Sequence, residues 1–209
     1  HLINYIEGAD FVPNPDVLSG NNWEDKVTEG SGSSKGIELL VRKQDVQNTA
    51  WLSYTLSESR RQFAEINGGQ YFPFRFDLRH AFHLVYARKL DKHWSLSAAW
   101  AFRSGSHINL ALNEWQYVSQ DGSPDFIYQN FGGKNSYTLP PYHRLDISAR
   151  YKKEKPWGHW SFDVGIYNLY NRKNIYFIKS DFQPGTKTLG YKAVSLIPVL
   201  PYFSIDIYL

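Results

Sequence analysis

Between Tyr142 and Asn174 the chain reads YHRLDISARYKKEKPWGHWSFDVGIYNLYNRKN. Leu145, Ile147, Ala149 and Tyr151 alternate with Arg144, Asp146, Ser148 and Arg150. The pattern breaks over 152–157, which holds a Lys-Pro pair. Trp160, Phe162, Val164 and Ile166 then alternate with Ser161, Asp163, Gly165 and Tyr167. A period of two predicts two strands, and the short polar break joins them as an antiparallel hairpin. Each strand has one apolar face ending in aromatics and one polar face. Strands of about ten residues, tilted, are long enough to cross a bilayer, whereas sandwich strands run to about five or six. Transmembrane barrels turn the apolar face to lipid and the polar face to the lumen. A large soluble β-protein is the competing reading.

The same alternation recurs along the chain. A short strand is predicted over 1–7, followed by a polar loop over 8–35 with Pro13, Pro15 and Gly20. The loop ends in GSGSSKG, which lacks the G-x-G-x-x-G spacing and a following Gly-Lys-Ser/Thr, so a flexible loop end is the better reading than a phosphate cradle. Over 36–43, Ile37, Leu39 and Val41 oppose Glu38 and Arg42. A turn over 44–48 leads to a strand over 49–59, then to a long connection over 60–76 with Asn67-Gly68-Gly69 and Pro73. Strands over 77–90 and 94–104 flank a tight turn. The connection over 105–141 carries Trp115 with Tyr117 and Phe126 with Tyr128 around Asp121-Gly122, a small hairpin standing on the loop. After the 142–174 stretch, 174–187 reads as irregular, with Pro184-Gly185. The stretch 188–209 ends with Phe203, Ile205, Ile207 and Leu209 alternating with Tyr202, Ser204, Asp206 and Tyr208. Pro198 and Pro201 before it mark a bulge, an edge or a turn.

The connections thus alternate long and short. Outer-membrane barrels have short periplasmic turns and long external loops, and a soluble sandwich has no reason to sort its loops by parity. The fold class expected is all-β: an antiparallel transmembrane β-barrel, of which about eight strands are present.

Composition narrows the function. Aromatics make up 17% of the 209 residues, which fits interfacial girdles and equally a carbohydrate-binding sandwich. A net charge of +3 is too small to imply a nucleic-acid partner. No apolar run approaches the length of a membrane-spanning helix, which a barrel does not need. Cysteine is absent, which removes disulfides and thiolate metal sites. Methionine is absent too, and the chain starts at His1 in an apparent strand with no leader before it. The expectation is therefore a C-terminal piece of a longer exported chain.

Several segments carry a family resemblance: INYIEGADF, NWEDKVTEGSGSSKGIELLVRK, WLSYTLSESRRQFAEINGGQYFPFRFDLRHAFHLVYARKL, WSLSAAWAFRSG, LPPYHRLDISARYKK and IYNLYNRKN. Together they resemble the C-terminal barrel portion of a TonB-dependent outer-membrane receptor, of the Bacteroidota type whose members often carry a carboxypeptidase-regulatory-like domain before the plug. The element NLYN from Asn168 is similar to an Asn-Leu-Phe-Asp motif near the last strands of many such receptors. Two features depart from the family pattern: the plug and the TonB-contacting segment lie outside this sequence, and Leu209 stands where the family usually has Phe. The resemblance implies about eight strands of a plugged barrel of about twenty-two. It also implies a place in the bacterial outer membrane and TonB-dependent uptake of a scarce nutrient such as a siderophore, cobalamin, peptide or glycan. Implied partners are outer-membrane lipid, the remaining strands and plug of the parent chain, TonB through that plug, and a surface lipoprotein. No cofactor or metal is expected.

Two groups of candidate residues follow. Glu38, Arg42, Arg144, Asp146, Arg150, Asp163 and Asp206 would face the lumen and the plug, or else pair with one another along a solvated wall. Trp115, Tyr117, Phe126 and Tyr128 would stack on a ligand in the external loops, or else pack their own hairpin. The alternatives are a soluble aromatic-rich β-sandwich that binds carbohydrate and, less favoured, an outer-membrane hydrolase. The hydrolase lacks a nucleophile, base and orienting group in a recognisable pattern. His80 and His83 fall on opposite sides of a strand, and His143 beside Arg144 and Asp146 has no matching serine motif. Two outer strands with unpaired edges should also prevent the chain alone from forming a stable monomer.

Overall fold

The computed structural model describes residues 2–5, 27–118, 124–183 and 188–209. Fifteen strands are present among them, in the order β1 (Leu2–Tyr5), β2 (Val27–Gln44), β3 (Asn48–Phe63), β4 (Phe72–Pro73), β5 (His80–Lys89), β6 (Trp94–Arg103), β7 (His107–Ile108), β8 (Ala111–Val118), β9 (Pro124–Phe131), β10 (Tyr137–Thr138), β11 (Tyr142–Lys155), β12 (Gly158–Tyr167), β13 (Ile175–Gln183), β14 (Thr188–Ser195) and β15 (Leu200–Tyr208). Eight of them form one antiparallel path, β1-β2-β3-β5-β6-β11-β12-β15, with β4 attached to β3. The all-β antiparallel fold is as expected. The path is an open arc with β1 and β15 at its ends.

The period of two decides the register. Arg150 lies opposite Asp163 and Ser95, Ser148 opposite Gly165 and Ser97, and Ile147 opposite Ile166 and Ala98. A one-residue slip would exchange the two faces, so the patterning pins the pairing. Exposure is inverted relative to a soluble domain. Phe203 is 74% exposed and Ile37 71%, while Asp163 is 8% and Ser161 5% exposed. Apolar residues lie outside and polar residues inside, as in a barrel whose outer solvent is lipid.

Two rows of aromatics cross the apolar face. Near the short turns, Tyr151 meets Trp94 at 5.1 Å and Trp160 at 5.5 Å between ring centroids. Near the long connections, Phe82, Trp100, Phe102, His143 and Tyr170 run in series at 5.2–6.5 Å. Trp94 and Phe102 stand on the same strand. Their spacing corresponds to about 27 Å along the strand and about 20 Å of height at the usual tilt, the separation expected of interfacial girdles.

Two of the short turns, after β2 and after β5, are built from aspartates. Asp45 Oδ1 accepts the N–H groups of Gln47 and Asn48, and Asp91 Oδ1 those of His93 and Trp94. These hydrogen bonds hold both carboxyls below the usual carboxylate range.

Several boundaries differ from expectation. GSGSSKG belongs to β2, not to a loop, because Gly30 to Gly36 pair continuously with Phe63 to Ser57. Val27 to Glu29 of the predicted loop also belong to β2, and 8–26 lie outside the described residues. β3 likewise continues to Phe63, past the expected end at Ser59. β11 runs to Lys155, so Lys152 to Lys155 carry the pairing on instead of breaking it. The region 174–187, read as irregular, contributes β13, which pairs with β14. Its residues Phe177, Ile178 and Phe182 alternate poorly, which hid the strand. Pro184-Gly185 lies outside the described residues. Pro201 falls within β15 on the end strand of the sheet, where its missing N–H costs no ladder bond on the unpaired side.

The only buried apolar cluster among the described residues is Phe63, Ile66 and Phe72, at the loop end beyond the apolar band. Phe63 and Phe72 stack at 6.0 Å, and the guanidinium of Arg61 lies 3.7 Å from the Phe74 ring centroid.

Candidate functional site

The polar face of β11, β12 and β15 carries the densest charge. Arg144 donates from Nε and Nη2 to Asp146 Oδ2, both at 2.9 Å, and from Nη1 to the Tyr142 hydroxyl at 3.1 Å. Its guanidinium also lies over the Tyr167 ring, 3.9 Å from the centroid, and Arg103 lies over Tyr142 at 4.6 Å. Two cation–ring pairs therefore stand side by side on neighbouring strands. They line a cleft of about 150 Å³ with Asn168, Asn174 and, from the connection before β15, Leu196 and Ile197.

Further toward the short turns, Arg150 Nε donates to Asp163 Oδ1 at 2.6 Å. Asp163 Oδ2 is buried with no hydrogen-bond partner among the described residues. Such an oxygen is costly unless a donor reaches it. Ser161 Oγ donates to Asp206 Oδ2 at 3.5 Å, and the hydroxyls of Ser97 and Ser148 meet at 2.6 Å. Arg150, Asp163, Ser97, Ser148, Tyr202 and Ser204 line a cavity of about 430 Å³ that opens on this face.

Of the seven charged candidates, Arg144, Asp146, Arg150, Asp163 and Asp206 thus lie together on three adjacent strands. Glu38 and Arg42 share their face but sit on β2, opposite Thr55 and Trp51, with β3, β5 and β6 between. Arg42 donates to Gln44 Oε1 at 2.7 Å. Trp115 opposes Tyr128 and Tyr117 opposes Phe126 on the β8–β9 hairpin, which stands where the loop hairpin was expected. Its turn around Asp121-Gly122 lies outside the described residues. Arg103 and Tyr142 were not singled out beforehand. Strand parity could have found them, since Arg103 shares the polar face of β6 with Ser95 and Ser97, but the ring contact spans two strands.

Asparagines fix the loop end. Asn168, 1% exposed with φ 55°, donates from Nδ2 to the carbonyls of Arg172 and Ile197 and accepts the Arg172 N–H. Asn171 Oδ1 accepts the Val199 N–H, and Asn174 bonds both N–H and C=O of His143. Across the sheet, Asn67 bonds the Lys134 backbone in both directions, and Asn135 reaches the Pro73 carbonyl and, through its N–H, Asn109. Each asparagine stands in for a strand partner where the ladder ends.

Among the described residues no group of His, Asp and Glu is placed to hold a metal ion. A family model described as TonB dependent receptor-like, beta-barrel, matches residues 4–169. No curated protein and no solved structure matches the chain.

Proposed function

The chain belongs to the family of TonB-dependent receptor β-barrels, receptors and transporters of the bacterial outer membrane, and from that premise we propose that it supplies part of the wall and external loops of a gate for a scarce nutrient. The observation that carries the reading is the sorting of chemistry across one sheet. The apolar face bears two aromatic rows, and the opposite face bears the Arg144–Asp146 and Arg150–Asp163 pairs. In a barrel the second face lines the lumen.

On this reading the lumenal charges hold the plug of the parent chain. Asp163 supports it most directly, because its second carboxylate oxygen is shielded and lacks a donor among the described residues. A plug N–H or cation would supply that donor. Arg103, Tyr142, Arg144 and Tyr167 sit nearer the loop end, where a ligand arriving from outside would meet them first. The hairpin carrying Trp115, Tyr117, Phe126 and Tyr128 would add stacking surface outside. Ligand capture and passage require no covalent chemistry, so no catalytic group is assigned. The transported compound is a siderophore, cobalamin, peptide or glycan, and a surface lipoprotein is a candidate partner on the external side.

The test is growth limitation. A strain lacking the parent receptor is compared with its complemented form when iron siderophore, cobalamin, peptide or glycan is limiting. A defect under one regime, abolished equally by loss of TonB, is expected. Equal growth under all four would overturn the reading.

A further inference from the structure

Beyond the aromatic row at the loop end, the apolar face changes abruptly. Ile37, Leu39 and Val41 of β2 and Leu52 and Leu56 of β3 are the last apolar residues of this part of the band. Tyr54 stands between Leu52 and Leu56 on this face, its hydroxyl 2.8 Å from His80 Nδ1. Two residues past Leu56 on the same face comes Glu58, which is surrounded by cations. Lys35 Nζ lies 3.1 Å from Oε2, Arg60 Nη2 2.8 Å from Oε1 and Arg79 Nη1 3.1 Å from Oε1. Glu58 is the most covered of the four, with its side chain 16% exposed, against 81% for Lys35, 57% for Arg60 and 52% for Arg79.

One carboxylate cannot neutralise three cations, and even with Asp77, which accepts the Ser59 N–H at 2.8 Å, the patch keeps a net positive charge. Glu58 gathers the three groups to one point and leaves their remaining N–H donors turned outward. A charged group gains little by facing lipid tails, and surface ion pairs alone stabilise weakly. The position supplies a better explanation. Glu58 is four residues along β3 from Tyr54, about 13 Å along the strand and about 10 Å in height, just past the interfacial girdle. A phosphate on an amphiphile whose acyl chains lie against Leu56, Ile37 and Leu39 would sit at this level. Guanidinium forks suit phosphate oxygens, and the net positive charge of the patch favours an anionic headgroup.

We infer that Lys35, Arg60 and Arg79, gathered by Glu58, bind the phosphate of a phosphorylated glycolipid in the outer leaflet. The inference rests on the orientation proposed above, with the long connections outside. A dissolved anion is the weaker occupant, because the patch is open to water and gains its second contact only from the neighbouring apolar band.

The experiment uses the full-length receptor purified in detergent, with diphosphorylated lipid A as probe and native mass spectrometry as readout. The triple variant Lys35→Gln/Arg60→Gln/Arg79→Gln should bind lipid A about a hundredfold more weakly, from about tenfold or less per cation near an anionic surface. A Lys43→Gln/Arg88→Gln control at the opposite end should bind as the native protein does. Removing both phosphates from the glycolipid should weaken native binding as much as the triple variant does. Glu58→Gln, which raises the local charge, should retain native affinity or exceed it, a result that misfolding would not give. The inference is overturned by unchanged binding in the triple variant, by equal binding of dephosphorylated lipid, by loss of binding in Glu58→Gln, or by displacement with millimolar inorganic phosphate. Orientation is read separately: a Ser31→Cys receptor on intact cells should react with an impermeant maleimide. Failure there would overturn the orientation, whatever lipid A does.

Discussion

The backbone N–H of Asn168 donates to Asp146 Oδ1 at 2.9 Å, while the other oxygen of that carboxylate takes Arg144. One aspartate therefore ties the Arg144–Asp146 ion pair of the polar face to the turn that ends β12. Asp146→Ala should cost about 2 kcal/mol, because it orphans a buried N–H and leaves Arg144 with only its tyrosines. Asp146→Asn keeps an oxygen for the N–H and should cost about half as much. Urea unfolding of the full receptor in detergent, followed by gel mobility, measures both. Equal losses would mean that the N–H contact carries nothing.

Val164 stands on the apolar face, opposite Ala149 and Phe203. An arginine there would face the bilayer midplane at a cost of about 2–4 kcal/mol. Val164→Arg should reduce the heat-modifiable form recovered from the outer membrane, whereas Val164→Thr should not. Normal assembly of the arginine variant would show the faces to be exchanged.

At Gly105 an added Cβ would lie 1.5 Å from the Leu139 carbonyl oxygen, backbone against backbone. Gly105→Ala should therefore force the chain after β6 away from 137–140 and expose it to limited proteolysis. Gly68, with φ 59°, meets nothing within 4 Å. Its alanine variant should show only the conformational cost of about 1–2 kcal/mol and no new cleavage. Matching cleavage patterns would refute the close approach.

His107, in the small β7–β10 sheet of the loops, has its pKa lowered by burial, with Asp77 opposing the shift. Its Nδ1 meets Thr138 Oγ1 at 3.0 Å. The unfolded segment binds the proton more readily, so the sheet is most stable above the ordinary histidine range of about 6.5. It weakens as pH falls from there toward the lower folded value. Hydrogen exchange at 107–108 and 137–138, corrected for intrinsic rates, should quicken at about pH 5.5 relative to about pH 7.5. Unchanged protection would exclude the linkage.

How much of this could be read from the residues depended on period two. Leu145 to Tyr151 and Trp160 to Ile166 announced both their strands and their faces, because one solvent lies on each side of the sheet. GSGSSKG did not announce β2, since glycine and serine suit a loop equally well. Its strand state comes from partners such as Phe63, whose ring covers Gly30. The Arg144–Asp146 contact was legible as two charges on one strand. The Arg103–Tyr142 and Arg144–Tyr167 ring contacts were not, because they depend on which strands become neighbours. Trp115, Tyr117, Phe126 and Tyr128 could be placed on a hairpin from their spacing, and their opposition in pairs follows from its register.

The loop end is anchored by Asn67, Asn135, Asn168, Asn171 and Asn174, whereas the barrel wall is anchored by charges. Amides neither titrate nor gather counterions, so changes of salt or pH leave those anchors unchanged. Ion pairs such as Arg150–Asp163, whose arginine is half-exposed, are by contrast open to screening by salt. The asparagine contacts at the mouth of the proposed gate are thus indifferent to salt and acid, whereas the His107 strand pair beside them is not.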